Sequence, residues 1–364
     1  MAEYPSEYEL DVVLRDGSGA RVRPIRPDDG DLVKAFFERL GPESRYYRFF
    51  QVKNTLEPKE IEHFTSVDYD DRMALIALRD GEMIAVGRYD REGLSDRAEV
   101  AFAVVDDQQG RGLGTKLLEL LTAYARSQGI RGFRAFVLGE NRQMMRVFRN
   151  SGYELARTLD SGVFTVDFPT TESEQSLAIE ADHEKRAVAA SLLPLFFPRS
   201  IAVIGASNDE SSIGGKLFNN ILAEGFSGPL YPVNPTSKVV RSVKAYPTIG
   251  EVPDEVDLAF IVVPKRFVLD VAQECAGAGV RGIVVISAGF SELGEEGAED
   301  EKRLLEIVRQ SGMRMVGPNC MGLVNTSSAV RLNGTFAPVY PPAGNVAMSS
   351  QSGALGIAIL DYAT

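Results

Sequence analysis

The 364-residue sequence predicts two successive α/β domains: a mixed sheet flanked by helices, then a Rossmann-like parallel sheet. Three observations predict this. Short apolar segments alternate with helical ones up to residue 168. From Pro169 to Ala190 the composition turns to Thr, Glu, Ser and Ala with scattered charge, as in a connecting segment. From Ser200 the strands become near-continuous apolar runs separated by helices, the mark of a parallel sheet covered on both faces. The expected divisions are 1–168, a linker over 169–192 whose second half is helical, 193–343, and 344–364.

In the first part, strands are expected near Ala20 to Ile25, Met73 to Leu78, Met83 to Tyr89 and Val100 to Val105. A helix from about Leu113 to Gln128, a strand from Gly132 to Leu138, a helix ending at Asn150 and a strand near Val163 to Phe168 follow. Pro194 and Pro198 punctuate entry to the second part. Its strands are Ile201–Ile204, Leu230–Val233, Leu258–Val263, Gly282–Ile286 and Met313–Val316, with connections long enough for right-handed crossovers.

A net charge of −12 argues against a nucleic-acid binder, which would carry a basic stripe, and against a surface seeking anionic lipid. Two cysteines, Cys275 and Cys320, supply neither a disulfide framework nor a cysteine-rich metal site, so no metal is expected. The acidic N-terminus lacks an apolar core, and no apolar run approaches the roughly 20 residues needed to span a bilayer. A cytoplasmic protein is expected; the sequence leaves its oligomeric state open.

Two glycine-rich turns suit anions. The strand Ala98–Val105 runs through Asp106-Asp-Gln-Gln-Gly-Arg-Gly-Leu-Gly-Thr115 into a helix. Its glycines let the backbone approach a pyrophosphate, and the first helical N–H groups have no intrahelical partner. The strand Ile201–Ile204 empties into Gly205-Ala-Ser-Asn-Asp-Glu-Ser-Ser-Ile-Gly-Gly-Lys216, a second such helix start. It lacks G-x-G-x-x-G, and the next strand ends in Val233-Asn-Pro-Thr without an acidic residue for a ribose, which argues against an NAD dehydrogenase. Lys238 lies where a cation would meet phosphate.

The pattern Gln109-x-x-Gly112-x-Gly114 resembles the acetyl-CoA loop of the GCN5-related N-acetyltransferases (GNAT). So do Arg23-Pro-Ile-Arg-Pro-Asp-Asp29, similar to that family's first strand and its exit; Leu40-Gly-Pro-Glu-Ser-Arg-Tyr-Tyr-Arg-Phe-Phe50, similar to its early helical region; and Asn141–Tyr153. The resemblance spans about residues 8 to 168. It implies acetyl-CoA as donor, with Glu99 as general base and an amide near Val104 and Val105 polarising the thioester. Gln109, Gly110, Arg111, Gly112, Leu113, Gly114 and Thr115 would hold pyrophosphate, and Asn141 the pantetheine amide. Many family members place a tyrosine acid where Phe148 stands here; Tyr153 is read as a packing residue.

Phe197–Ser207, Tyr231–Pro235, Val262–Pro264, Ser287–Phe290 and Gly317-Pro-Asn-Cys-Met-Gly322 resemble the CoA-binding domain of NDP-forming acyl-CoA synthetases, the group containing the succinyl-CoA synthetase α subunit. That resemblance implies contacts to CoA phosphates from Ser207, Ser211, Ser212, Ile213, Gly214 and Lys238, with Val263, Pro264 and Ser287 lining the adenine or pantetheine path. The tail from Gly344 is similar to the start of that family's next domain, so the chain reads as a fragment of a longer protein. His63 and His183 match no phosphorylated histidine, and each is read as a surface residue.

Together the two halves resemble bacterial protein lysine acetyltransferases that carry a synthetase-derived CoA-binding region. The resemblance implies acetylation of a protein lysine, with AMP-forming acyl-CoA synthetases as partners and the second domain as a CoA sensor. Small-amine acetylation, a ligase component and a non-catalytic CoA sensor stay open. A narrow acceptor cleft would favour the first, the missing histidine weighs against the second, and Glu99 weighs against the third.

Overall fold

The computed structural model describes residues 3–93 and 95–363. Met1, Ala2 and Thr364, at the ends of the expected segments 1–168 and 344–364, lie outside the described residues. The chain divides into two compact units, Met1–Ala190 and Ser191–Thr364.

The first unit contains β1 (Leu10–Val13), β2 (Gly19–Pro24), α1 (Gly30–Arg39), α2 (Pro42–Phe49), α3 (Pro58–Thr65), β3 (Arg72–Arg79), β4 (Glu82–Arg91), β5 (Arg97–Val104), α4 (Leu113–Ser127), β6 (Gly132–Leu138), α5 (Arg142–Arg149), β7 (Ala156–Asp160) and β8 (Val163–Pro169). The helix α6 (Glu174–Phe196) runs across the boundary. An eight-stranded sheet has the order β1-β2-β3-β4-β5-β6-β8-β7. Its pairs are antiparallel except β5 with β6, which are parallel. One continuous core joins Met73–Ala77 of β3 to Leu117, Leu118 and Leu121 of α4.

The expected α/β class holds, with three local corrections. Arg23–Asp29 is the exit of the second strand, because β1 precedes it; β1 buries only Val12 and so shows little apolar signal. The edge strand β7 is exposed throughout and offers no alternating pattern to read. The expected linker is mostly helix. Ser173 and Ser176 cap its start reciprocally, each hydroxyl accepting the other's backbone N–H at 3.0 and 2.9 Å, and the Ala-, Glu- and Leu-rich run that follows favours helix. Pro194 lies inside α6 rather than after it.

In the second unit, β9 (Ile201–Ile204), α7 (Ile213–Ala223), β10 (Leu230–Val233), β11 (Val239–Val240), β12 (Val243–Lys244), β13 (Leu258–Ile261), α8 (Val268–Gly277), β14 (Gly282–Val285), α9 (Glu295–Ser311), β15 (Arg314–Val316), β16 (Gly322–Asn325), β17 (Leu332–Thr335) and α10 (Gly353–Tyr362) follow in order. Five parallel strands are ordered β10-β9-β13-β14-β15. Two apolar clusters account for their buried strands. One gathers Ala259, Ile261 and Ile283 with α8 and α9; the other gathers Val203, Phe260 and Val284 with α7. The antiparallel ribbons β11–β12 and β16–β17 are additions that the apolar pattern does not announce.

Arg23 and Asp29 form a buried bidentate pair at 2.7 and 2.6 Å, and Asp29 also accepts the Arg26 N–H at 2.7 Å. This ties the exit of β2 to the start of α1. Removing one partner strands the other charge in the interior, which typically costs about 3–5 kcal/mol. Asp29→Ala is therefore expected to destabilise the first unit by about that amount, read as a lower urea midpoint at unchanged slope.

Candidate active site

The strands β5 and β6 pair only from Arg97↔Gly132 to Glu99↔Arg134, then separate. On its other edge β5 stays paired with β4 from Ala98 to Val104. The Val105 N–H donates to the Ile84 carbonyl at 3.1 Å. Because antiparallel ladders alternate, the N–H groups of Phe102 and Val104 point away from β4, into the gap beside β6. A cleft of ≈ 820 Å³ occupies this gap, lined by β5, the turn after it, and the starts of α4 and α5.

Glu99, Val104, Gln109, Gly110, Gly112, Leu113, Gly114, Thr115 and Asn141 all line it. Glu99 is exposed on the cleft wall at the last paired position of β5 with β6. Gly110 and Gly112 have φ of 77° and 98°, and a Cβ on Gly112 would come within 3.2 Å of the Arg15 Cβ. Gly112 is also the N-cap of α4, so the turn delivers that helix's unpaired N–H groups to the cleft.

Two expected residues do not line it. Val105 is fully buried with its N–H engaged by β4, since the side-chain alternation that puts Val104 at the gap turns Val105 into the core. Arg111 pairs instead with Asp16 at 3.4 Å, and its carbonyl accepts the Arg15 N–H. Gln109 reaches the cleft, but its side-chain amide donates to the Val104 carbonyl at 3.1 Å and to the Ser44 hydroxyl at 3.0 Å. It braces the turn against β5 and α2. Asn141 caps α5 by accepting the Met144 N–H at 3.0 Å, which leaves its Nδ2 donor unused in that cap. Phe148 is buried against Phe102 and Phe168, and Tyr153 stacks on Phe168 away from the cleft.

Sequence reasoning missed Arg15, Ser44, Tyr47, Arg48, Glu140 and Arg146, which also line the cleft. Two segments already singled out, Leu40–Phe50 and Asn141–Tyr153, contain Ser44, Tyr47, Arg48 and Arg146; nothing in the sequence pointed to Arg15 or Glu140. Asp106 fastens Leu40–Phe50, accepting from the Gly41 N–H and from the Ser44 hydroxyl. The Tyr47 hydroxyl donates to Glu43, a hydrogen bond that pushes the phenol up to about 12. Arg15, Arg79 and Arg111 surround the glycine turn; Arg79 donates to the Gln108 side chain at 2.9 Å.

In the second unit the strand order reverses between β9 and β13, the switch point where open parallel sheets take ligands. Gly205, at φ 95°, leaves no room for a side chain, because its Cβ would meet the Val262 carbonyl oxygen at 2.3 Å. Val263 and Pro264 follow β13, and the Ser287 hydroxyl donates to the Val263 carbonyl, so these three share one end of the sheet. Several loop donors are engaged locally. Ser211 gives its N–H and hydroxyl to Asp209, Ser207 accepts the Asp209 N–H, and Ser212 caps α7 through the Gly215 N–H. Gly214 is needed for packing, as a Cβ there would meet the Gly205 carbonyl oxygen at 2.0 Å. Ile213 and Lys238 are exposed.

His63 lies against the Arg72 guanidinium, and His183 is 3.1 Å from Glu119. Among the described residues no group of His, Cys, Asp and Glu is arranged to hold a metal, and no helix is long and apolar enough to cross a membrane.

The profile "Acetyltransferase (GNAT) family" matches residues 36–153, and "CoA binding domain" matches 199–326. Both describe domains that bind CoA or acetyl-CoA. An acetyltransferase of Pseudomonas aeruginosa is 33% identical over 135 residues, covering 36% of this chain and 73% of the relative. The α subunit of ADP-forming acetate–CoA ligase II from Pyrococcus furiosus is 53% identical over 170 residues, 46% of this chain and 36% of that subunit. The 4-hydroxybutyrate–CoA ligase of Nitrosopumilus maritimus is 42% identical over 171 residues, of which the chain covers 24%. The chain thus spans well under half the length of these ligases. Among solved structures, the GNAT domain of S. lividans PAT is 46% identical, with 46% of this chain and 99% of that one covered and a TM-score of 0.44. The chain belongs to the GNAT family of N-acetyltransferases, with a CoA-binding domain following its transferase domain.

Proposed function

We propose that the first domain transfers acetyl from acetyl-CoA to the Nε of a lysine on a protein, and that AMP-forming acyl-CoA synthetases are its acceptors. The observation that carries this reading is the separation of β5 from β6 directly after Glu99, which sets a carboxylate beside two inward N–H groups at one cleft. The order of a GNAT domain before a CoA-binding domain, in which the chain resembles bacterial protein lysine acetyltransferases, supports the choice of acceptor. In this reading the transferase is 1–168, the connection 169–192 and the CoA-binding domain 193–343, with 344–364 the start of a ligase-like domain. A cytoplasmic location follows from the same reading.

Bound acetyl-CoA supplies the activated acyl group. Only about one lysine in 2,500 is neutral at pH 7, so Glu99 takes the ammonium proton before attack. The N–H groups of Phe102 and Val104 stabilise negative charge developing on the acyl oxygen. The start of α4 and the glycine turn hold pyrophosphate, and the Asn141 Nδ2 donates to the pantetheine amide. In the second domain, CoA contacts come from the Ser207–Gly214 loop, Lys238, Val263, Pro264 and Ser287. Occupancy there shifts the transferase only if CoA binds two of its states unequally.

Glu99→Gln is expected to lower kcat for acetylation of a purified AMP-forming acetyl-CoA synthetase by about 10²–10⁴ while acetyl-CoA affinity stays within error, read by lysine mass spectrometry and calorimetry. An unchanged kcat removes Glu99 as the base. Lys238→Ala is expected to weaken CoA binding to the second domain and to alter how acetylation depends on acetyl-CoA. Lost binding with an unaltered acetylation curve rules out the sensor role.

A further inference from the structure

Glu99 stands near several arginines, and they differ in what they bind. Asp90 faces Glu99 across the β4–β5 ladder, and directly opposed residues share a face of the sheet. Asp90 is already held by two guanidinium groups, with Arg72 Nε at 2.8 Å and Arg88 Nε at 3.1 Å. Arg48, reaching from α2, lines the cleft together with Glu99. Arg72 and Arg88 are thus engaged by Asp90, which leaves Arg48 as the guanidinium near Glu99 without a bonded carboxylate. His63, beside Arg72, is pushed below its usual range by burial and by the Arg72 and Arg88 charges, and adds no anion.

Arg48 is the unusual member of this group. It is half-buried, and among the described residues its guanidinium has no hydrogen-bonded or ion-paired partner, its nitrogens keeping contact with solvent. Its guanidinium lies 5.3 Å from the Phe49 ring centre; Phe49 in turn packs against Phe64, over which Arg88 sits at 5.0 Å. Burial and the Arg88 charge push it down to about 10, against the pull of Glu99 and Asp90, so it stays charged at neutral pH. A partly desolvated cation without a hydrogen-bonded anion is costly to maintain, and a guanidinium fork matches a carboxylate with two parallel bonds.

We infer that Arg48 binds a carboxylate of the acceptor, so that the transferase prefers a lysine with an acidic residue close to it in the chain. This rests on the acetyltransferase reading above. The same chemistry would be offered by the α-carboxylate of a free amino acid, and the observations favour the protein source because an exposed Glu99 accepts a lysine presented from outside.

The test uses the full chain and peptides carrying one lysine with Glu at −2, −1, +1 or +2, each matched by a Gln peptide. Binding is followed by calorimetry on wild type and Arg48→Gln, and kcat/KM by mass spectrometry. Wild type is expected to favour the best Glu peptide by about ten- to a hundredfold in both readouts. Arg48→Gln should abolish that preference, bringing each Glu peptide to the level of its Gln partner, and Arg48→Lys should restore part of it.

Equal binding of Glu and Gln peptides by wild type, or binding of neither, overturns the inference. So does an equal fall in kcat for both peptides in Arg48→Gln with a shifted acid limb of the pH profile, which would make Arg48 a positioning residue for Glu99. Arg48-dependent binding without acetylation sustains the anion site and overturns the transferase reading. Arg48-dependent preference for free lysine over lysine amide, with peptides indifferent, overturns the proposed protein source.

Discussion

The first unit depends on two parallel strands that begin paired and then separate. Hydrogen bonding holds β5 to β6 for three residues, ending at Glu99↔Arg134, while β4 holds the other edge of β5 throughout. Unpaired backbone N–H groups inside a protein are costly, so a sheet rarely opens in this way without something to occupy the opening. Here the opening presents the amides of Phe102 and Val104, and the turn that ends β5 leads directly into α4. In the function proposed above, the acyl-transfer geometry is a property of the backbone, with Glu99 at the point of separation.

A small polar network keeps that opening in shape. Asp106 fastens the start of α2, Ser44 bridges Asp106 to Gln109, and Gln109 holds the Val104 carbonyl. The turn and α2 are therefore one hydrogen-bonded assembly, and a change in either is felt at β5. Gln109, whose position in the glycine-rich pattern suggests a ligand contact, instead spends its side chain on this bracing.

The second unit uses a different device for the same class of ligand. Its strand order reverses between β9 and β13, which opens a crevice at the ends of both strands, and close backbone approaches at Gly205 and Gly214 seat α7 against that crevice. The exposed Lys238 and the Ser207–Ser212 loop flank it. Within that loop Asp209 accepts both the N–H and the hydroxyl of Ser211.

The sequence alone determined the two α/β classes and nearly all the central strands, and it singled out Glu99, Gly110, Gly112 and Asn141, which line one cleft. These features are local: apolar runs of strand length, glycines where φ must be positive, and a cap residue before a helix. Only tertiary structure decided which face each neighbour presents. It turned Val105 into the core while Val104 met the gap, and it set Arg111 aside while bringing Arg15 in from the β1–β2 turn. It also placed Arg48 beside Glu99, although 51 positions separate them in the chain. The physical reason is that strand alternation and helix docking are fixed by partners distant in sequence, so a short motif names the residues near a site without naming those that complete it.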